Sequence, residues 1–547
     1  MRYKIKQLAI LVTIFFSVSV INFGFVFSSL NSNSHTQQIK LINDLRTSTV
    51  YTTNVLIDDT NPASDWETAK AAGICTGSGT VGDPYIIRDH LFNITTPNAA
   101  LHIRNSRKHF SVLNCELTGG IYGIWLLNTT NGLIEDNHIY GSFFGVDTMN
   151  CSQIVFRNNN CSANGFIGIL ASDSTDLSFY SNIASNNPVD GINIDNLENC
   201  VFDGNFMNEN GNFGMFILTC EYTTITGSTV NENQMGIYNF DSDYSTITGN
   251  SVVENSVNGI VIDDSDYCLV SENGVQGSNA NGIYISNSYN NTIEDNTVSL
   301  SLLDGILVAD SEDTLIYKNA VNLCGINGIA LTNSENITLL DNEIFHNNES
   351  GISVFSSDFN RLETNNLHHN GEDGIRLLSN SQHNILTGNL ASFNNLSGIA
   401  LYTNSHNNLI SDNTASNNEQ HGFYLSSSNL NLITVNRAND NKLNGIHLYL
   451  SDRNSITSNT AYNNVNGTNL MSSNENIIYG NNLANNVYCY NETNSFDNIY
   501  EENICQAPAA PSVPFDPFVL GLILGLVIGF GALAAVLILN FFRGRKE

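Results

Sequence analysis

A glycine that returns every 22 to 24 residues constrains this chain more than any other feature. It opens a Gly-Ile-like pair at Gly123, Gly145, Gly168, Gly191 and onward to Gly445 and Gly467. An Asn fourteen or fifteen places later keeps the same beat from Asn137 to Asn481, broken only by Ser228. A fixed period of this length marks a solenoid, in which each repeat is one supersecondary unit stacked on the next. The repeat outweighs the length of 547 residues, which would otherwise suggest about three or four ordinary domains.

The unit Gly282-Ile-Tyr-Ile-Ser-Asn-Ser288, followed by Tyr-Asn-Asn-Thr-Ile293-Glu-Asp-Asn296-Thr-Val298, shows the internal logic. Ile283 and Ile285 alternate with outward residues, which is strand spacing. Ile293 and Val298 open two more short apolar pulses, each closed by Gly, Asn or Ser. A coil therefore holds three strands and three turns. No sustained 3.6-residue pattern occurs in the repeats, so crossover helices are excluded. Stacking at roughly 4.8 Å per coil buries the apolar residues in one elongated core, about 75 Å long for sixteen coils.

Equal offsets from the glycine become columns along the rod. The Asn column reads as a hydrogen-bonded ladder, and the Ser column (Ser174, Ser242, Ser265, Ser288, Ser311, Ser334, Ser357) as a second ladder at a turn. The glycine reads as a backbone conformation that other residues resist. Cys151 and Cys220 fall in the Ser column and read as small buried residues. The ten cysteines are irregularly spaced, with no CxxC; Cys489 and Cys505 flank the end of the repeats, where a bond between them would close the last turn.

The ends suggest export. Arg2, Lys4 and Lys6 precede an apolar run, so 1–30 reads as a signal peptide or signal anchor, with 31–50 as a linker. Residues 518–542 are apolar and long enough to span a bilayer. The basic tail 543–547 would be cytoplasmic by the positive-inside rule, placing the repeats outside a cell membrane crossed once. Residues 506–517 form a Pro-rich spacer. Gly521, Gly525 and Gly529 offer a small-residue face for a homodimer within the membrane. Between these ends, 51–101 is expected to be a cap or first partial coil, 102–487 the repeats, and 488–505 a closing cap. The glycines of 74–87 lack the Lys and helix of a phosphate loop. Sequons at Asn93, Asn128, Asn290, Asn336, Asn395 and Asn466 are glycosylation candidates.

A net charge of −32 excludes nucleic acid as a partner, since phosphates require Lys and Arg. It leaves cations, neutral glycans and surface proteins. Asp241 and Asp264 share one column, and Asp243 and Asp266 another, with Asp263 beside them and Asp310 two coils on. These carboxylates could hold Ca²⁺, act as general acid and base on a glycosidic bond, or form a solvated acidic turn. No cofactor is required by the sequence. Between Asn158 and Tyr317 there is no Lys or Arg, which removes the base that a lyase needs. His346 and His369 also share a column, with His368 adjacent; they could hold Cu or Zn, or be Asn replaced by His in exposed turns. Tyr238, Tyr284 and Tyr424 lie two places after their glycines, the first two read as neighbours, and offer a weak sugar-stacking platform.

The unit G-I-x-L-x-x-S-x-x-N-x-I-x-x-N resembles the repeat of pectate-lyase-like and polygalacturonase-like folds, nearest to carbohydrate-associated repeats that include the copper-accessory protein NosD. The segment GSGTVGDPYII resembles the segment that precedes such repeats in prokaryotic surface proteins. The resemblance spans about residues 75–500 and implies an all-β, right-handed, single-stranded parallel β-helix of about 16 coils, to which the C-terminal transmembrane helix is added. For function it implies less. The Gly-His-Gly and Arg-x-Lys motifs of polygalacturonase-like enzymes have no counterpart here. The expectation is a surface-anchored recognition or adhesion protein that binds glycans without catalysis. A glycoside-hydrolase-like enzyme working through Asp241–Asp266 is the alternative, and a NosD-like copper accessory protein the third reading.

Overall fold

The computed structural model describes residues 49–506. These form a parallel β-solenoid with three strands per coil. In one coil the strands are Ile283–Ser286, Thr292–Glu294 and Thr297–Ser299. Each pairs in parallel with its counterpart one coil before and one after. Ile260, Ile283 and Ile306 stand in one inward column, Val270, Ile293 and Ile316 in the next, and Val275, Val298 and Val321 in the third. All nine are 1% exposed or less, so the three apolar pulses of the sequence become three walls of one continuous core. Phe156, Phe179 and Phe202 stack within it at ring separations of 4.7 and 4.5 Å.

The first and second strands make one sheet of 38 strands, two stacks of nineteen, which delimit about eighteen turns. The count exceeds sixteen because the flanking segments also form coils. The expected N-terminal cap contributes Val55–Asp58, Tyr85–Arg88 and His90–Asn93 as a complete first level. Within it lies the one helix among the described residues, Trp66–Ala71, capped by the Asp65 side chain accepting from the Thr68 amide. Trp66 and Ala69 are buried in the main core, and the Trp66 indole donates to Ser106 Oγ at 2.9 Å. The closing segment supplies a last level, Tyr488–Thr493 and Ile499–Glu501, fastened by a Cys489–Cys505 disulfide. The expected leader, and the expected transmembrane helix with its glycines, lie outside the described residues. Among the described residues no helix is long and apolar enough to cross a membrane.

The Asn column is a ladder in fact. Asn296 donates through Nδ2 to Val270 O (2.9 Å) and to Asn319 Oδ1 (3.0 Å), and Asn319 Oδ1 also receives the Asn296 amide (3.1 Å). A corner interrupts the strand ladder and orphans backbone groups. Asn alone among uncharged side chains of this size offers two donors and an acceptor to satisfy them. Two further ladders run at the other corners: Asn164, Asn187, Asn210 and Asn233, a column the sequence reading did not identify, and Asn360, Asn384, Asn408 and Asn431, which correspond to the first Asn of the repeat unit. The Ser column behaves as expected, each hydroxyl receiving the amide of the preceding coil, and Cys151 and Cys220 occupy it as buried residues.

The glycine column has a different cause from the expected one. These glycines do not have positive φ; the left-handed positions are filled mostly by Asn, Asp and Ser at the turns. The glycine is required by close approach. A Cβ on Gly328 would lie 2.2 Å from Ile344 Cγ2 and 2.8 Å from both Asn347 Nδ2 and Gly351 O. The second Asn ladder is packed directly over it.

The eight free cysteines are all buried, and burial pushes Cys200 up to about 11 and Cys220 up to about 12. Native protein should therefore leave these thiols unmodified by Ellman's reagent, with release only on unfolding. Fast labelling of any of them at neutral pH would contradict the packing described here.

Candidate functional site

The acidic patch is assembled as the columns required, but its carboxylates are largely used. Asp241, Asp264 and Asp310 sit at a left-handed turn position with φ of 49, 48 and 50°, a conformation that Asn and Asp tolerate. Asp243 Oδ1 accepts the Asp266 amide and Asp266 Oδ1 accepts the Tyr289 amide, both at 2.8 Å, so this column caps the next coil. Asp263 accepts from Ser286 Oγ (2.7 Å), Asn287 Nδ2 (3.1 Å) and the Tyr238 hydroxyl (2.9 Å). Burial, and then the charges of Asp243 and Asp264, raise the Asp266 carboxyl above the usual range. Beside the patch Tyr222, Tyr244 and Tyr267 form an exposed stack with ring separations of 5.0 and 5.2 Å. Their spacing of 22 and 23 residues, the repeat period, was readable in the sequence.

His346 and His369 do meet, ring centres 5.2 Å apart, in the left-handed position of their turns. His368 Nδ1 lies 3.0 Å from His369 Nδ1, and His368 Nε2 lies 3.9 Å from Glu343 Oε1. Phe345 stacks on His368 and Phe393 on His369. Burial and the neighbouring His369 lower the His368 imidazole, while Glu343 opposes this. An open cleft extends from His368 and His369 past Leu390 and Ser416 to Arg437. Among the described residues no group of three or more His, Cys, Asp or Glu is arranged to hold a metal ion. Of the sequons, Asn93, Asn290, Asn336 and Asn395 are exposed, whereas the Asn128 and Asn466 amides are engaged with Asn105 and Asn444. Tyr238 and Tyr284 are not neighbours: Val261 stands between them, two levels apart.

A further polar and aromatic cluster, around Tyr424, was not recognised as one in the sequence. It lies on the outer face of the first-strand stack, where Arg376, Ala400, Tyr424, His447 and Asn469 occupy successive levels. Tyr424 stacks on His447 (5.3 Å, 14°), His421 lies 4.8 Å from His447, and Tyr402 meets Tyr424 edge-on at 5.6 Å. Arg376 is ion-paired to Glu349 (2.7 Å) and Glu372, and bonds Ser353 Oγ (3.1 Å). Asp373, 1% exposed, accepts the Ser397 amide at 2.8 Å and the Tyr402 hydroxyl at 2.9 Å. Burial pushes Asp373 up to about 6 and His421 down to about 3. The Tyr column included Tyr424, but matching residue types down a column concealed the cluster, because its chemistry is spread over three columns and changes residue type at each level.

The right-handed β-helix region profile matches residues 99–252 and 239–391, and the chain belongs to that family. A profile described as periplasmic copper-binding protein (NosD) matches residues 377–508. No curated protein matches the sequence. Among solved structures the chain is similar to the periplasmic alginate epimerase AlgG at 15% identity, covering 68% of this chain and 83% of that one, with a TM-score of 0.34. The A-module of the Azotobacter vinelandii mannuronan C-5 epimerase AlgE6 aligns at 14% identity over 84% and 97% of the two chains, TM-score 0.31. The Dettilon tailspike protein aligns at 15% identity over 61% of each, TM-score 0.32.

Proposed function

We propose that this β-helix is a recognition protein that holds glycans, without cleaving them, on the outer face of its first-strand stack. The observation that carries the reading is the succession Arg376, Tyr402, Tyr424, His421 and His447, flat rings and hydrogen-bonding groups spread over four successive coils. Sugars combine an apolar ring face with hydroxyl donors and acceptors, and such a surface matches both. Its acids and bases are committed to internal partners: Asp373 is covered by Tyr402, and Arg376 is held between two glutamates. That supports binding over catalysis. The disulfide supports an oxidising compartment, in keeping with a leader at 1–30 and an anchor at 518–542.

The test pairs retention of the full-length chain on immobilised polysaccharides with assays for new reducing ends and unsaturated sugars, with and without Ca²⁺. Retention without product is expected, weakened about tenfold by Tyr424→Ala. Release of product would replace this reading with an enzyme. A second reading, metal handling, takes its support from the copper-binding-protein profile over residues 377–508; His346, His368 and His369 precede that span and form no metal-holding group in this structure. Calorimetric titration of the full-length chain with Cu²⁺ tests it: saturable binding would support it, and its absence would remove it.

A further inference from the structure

Buried polar groups in folded proteins are almost always bonded, so a local concentration of orphans calls for an explanation. One occurs on the first-strand outer face, far from the cluster above. His102, Trp125, Asp147 and Leu170 occupy successive levels there. The His102 and Trp125 rings are stacked at 4.0 Å and 16°. His102 is only 9% exposed, and neither its Nε2 nor the Trp125 indole Nε1 has a hydrogen-bond partner. Burial alone raises the Asp147 carboxyl, to about 6. The nearby Arg104 is already paired with Asp58 at 2.9 Å. Elsewhere on this face the corresponding groups are satisfied, as Tyr238 is by Asp263 and Tyr402 by Asp373.

The surroundings are aromatic. Tyr122 stacks on Trp125 (4.9 Å) and on Phe144 (5.4 Å), and Phe166 packs on Phe143 at 4.9 Å. Phe143 is 47% exposed. A ligand that completes the site must accept from an indole N–H, which can only donate. It must donate to a carboxylate that has no cation beside it, and it must present an apolar face to the rings. A uronate fails the second requirement, because its own carboxylate would face Asp147 with no free Lys or Arg. An ammonium group, which has no lone pair to accept with, fails the first.

We infer that His102, Trp125 and Asp147 form a binding subsite for one neutral pyranose unit of an oligosaccharide. The inference rests on the glycan reading above and adds a second, distinct position and a charge class. The chain has only two tryptophans, and Trp66 is buried and already bonded to Ser106, so a change in indole emission reports on Trp125.

The test titrates the full-length chain with cellohexaose, mannohexaose, trigalacturonate and chitosan hexamer, following emission and heat. A neutral hexamer is expected to shift the emission saturably, with the two charged oligomers inert. Trp125→Phe keeps an aromatic ring and removes the donor; Asp147→Asn keeps the shape and removes the charge, so it leaves no fold-dependent ambiguity. Each should weaken the dissociation constant about tenfold. Affinity should fall as pH drops through about 6, because a donating hydroxyl favours the ionised Asp147, and Asp147→Asn should be flat across that range. Preference for trigalacturonate or for the chitosan hexamer would overturn the assignment. So would hexamer binding that leaves emission and both variants unchanged, and that outcome spares the glycan reading. Absence of binding to any oligomer or polysaccharide removes both.

Discussion

Gly328→Ala is expected to destabilise the β-helix by about 3 kcal/mol, at the upper end for added methyl groups in packed interiors. The new Cβ would fall 2.8 Å from the Gly351 carbonyl, and backbone of the next coil cannot move without disturbing its own pairing. Ile344 Cγ2 at 2.2 Å could rotate, but it stands in a full core column. The strain is steric and not conformational, since Gly328 has no positive φ. Gly274→Ala provides the control: nothing lies within 4 Å of its Cβ position, so its effect should be within about 0.5 kcal/mol of zero. Denaturant midpoints of the two variants decide the matter. Equal midpoints would mean that the glycine column is not a packing device.

Asn342→Ala should cost more, about 4 kcal/mol, because it orphans several buried groups at once. Asn342 Oδ1 receives both the amide and the Nδ2 of Asn319, at 2.9 and 3.1 Å. Its own Nδ2 donates to Ile316 O and Asn365 Oδ1, each at 2.9 Å. Asn342→Ser should recover about half of the loss. Ser228 already stands in this column, receiving the Asn205 amide at 3.1 Å while donating to Thr226 O at 3.1 Å. Hydrogen exchange gives a local readout: the Asn319 amide should lose protection in the Ala variant and keep most of it in the Ser variant. Unchanged protection in the Ala variant would count against the ladder as a source of stability.

These two columns also show how far the sequence can be read. The period, the three strands per coil, the Asn and Ser ladders and the buried Cys151 and Cys220 were all legible. Each is a repeated local requirement, so many copies of the same residue report it. The cause of the glycine column was not legible, because the atoms that exclude a side chain, Asn347 Nδ2 and Gly351 O, belong to the following coil. The first coil was read as a cap or a partial coil, not a complete one, because an inserted helix hides its period. The acidic columns were found, but position alone could not show that Asp243 and Asp266 each spend an oxygen on the next backbone amide.

The outward faces mark the boundary between the two kinds of knowledge. Inward and corner positions obey burial and hydrogen-bond demands that recur every 22 to 24 residues, and so the chain alone dictates the β-helix. Outward positions carry no such demand, and their residues change from coil to coil. Whether His102 meets Trp125, or Tyr424 meets His447, depends on side chains of different coils coming to lie one coil spacing apart. Stacking creates those neighbours, and only the assembled solenoid reveals which of them leave polar atoms unanswered.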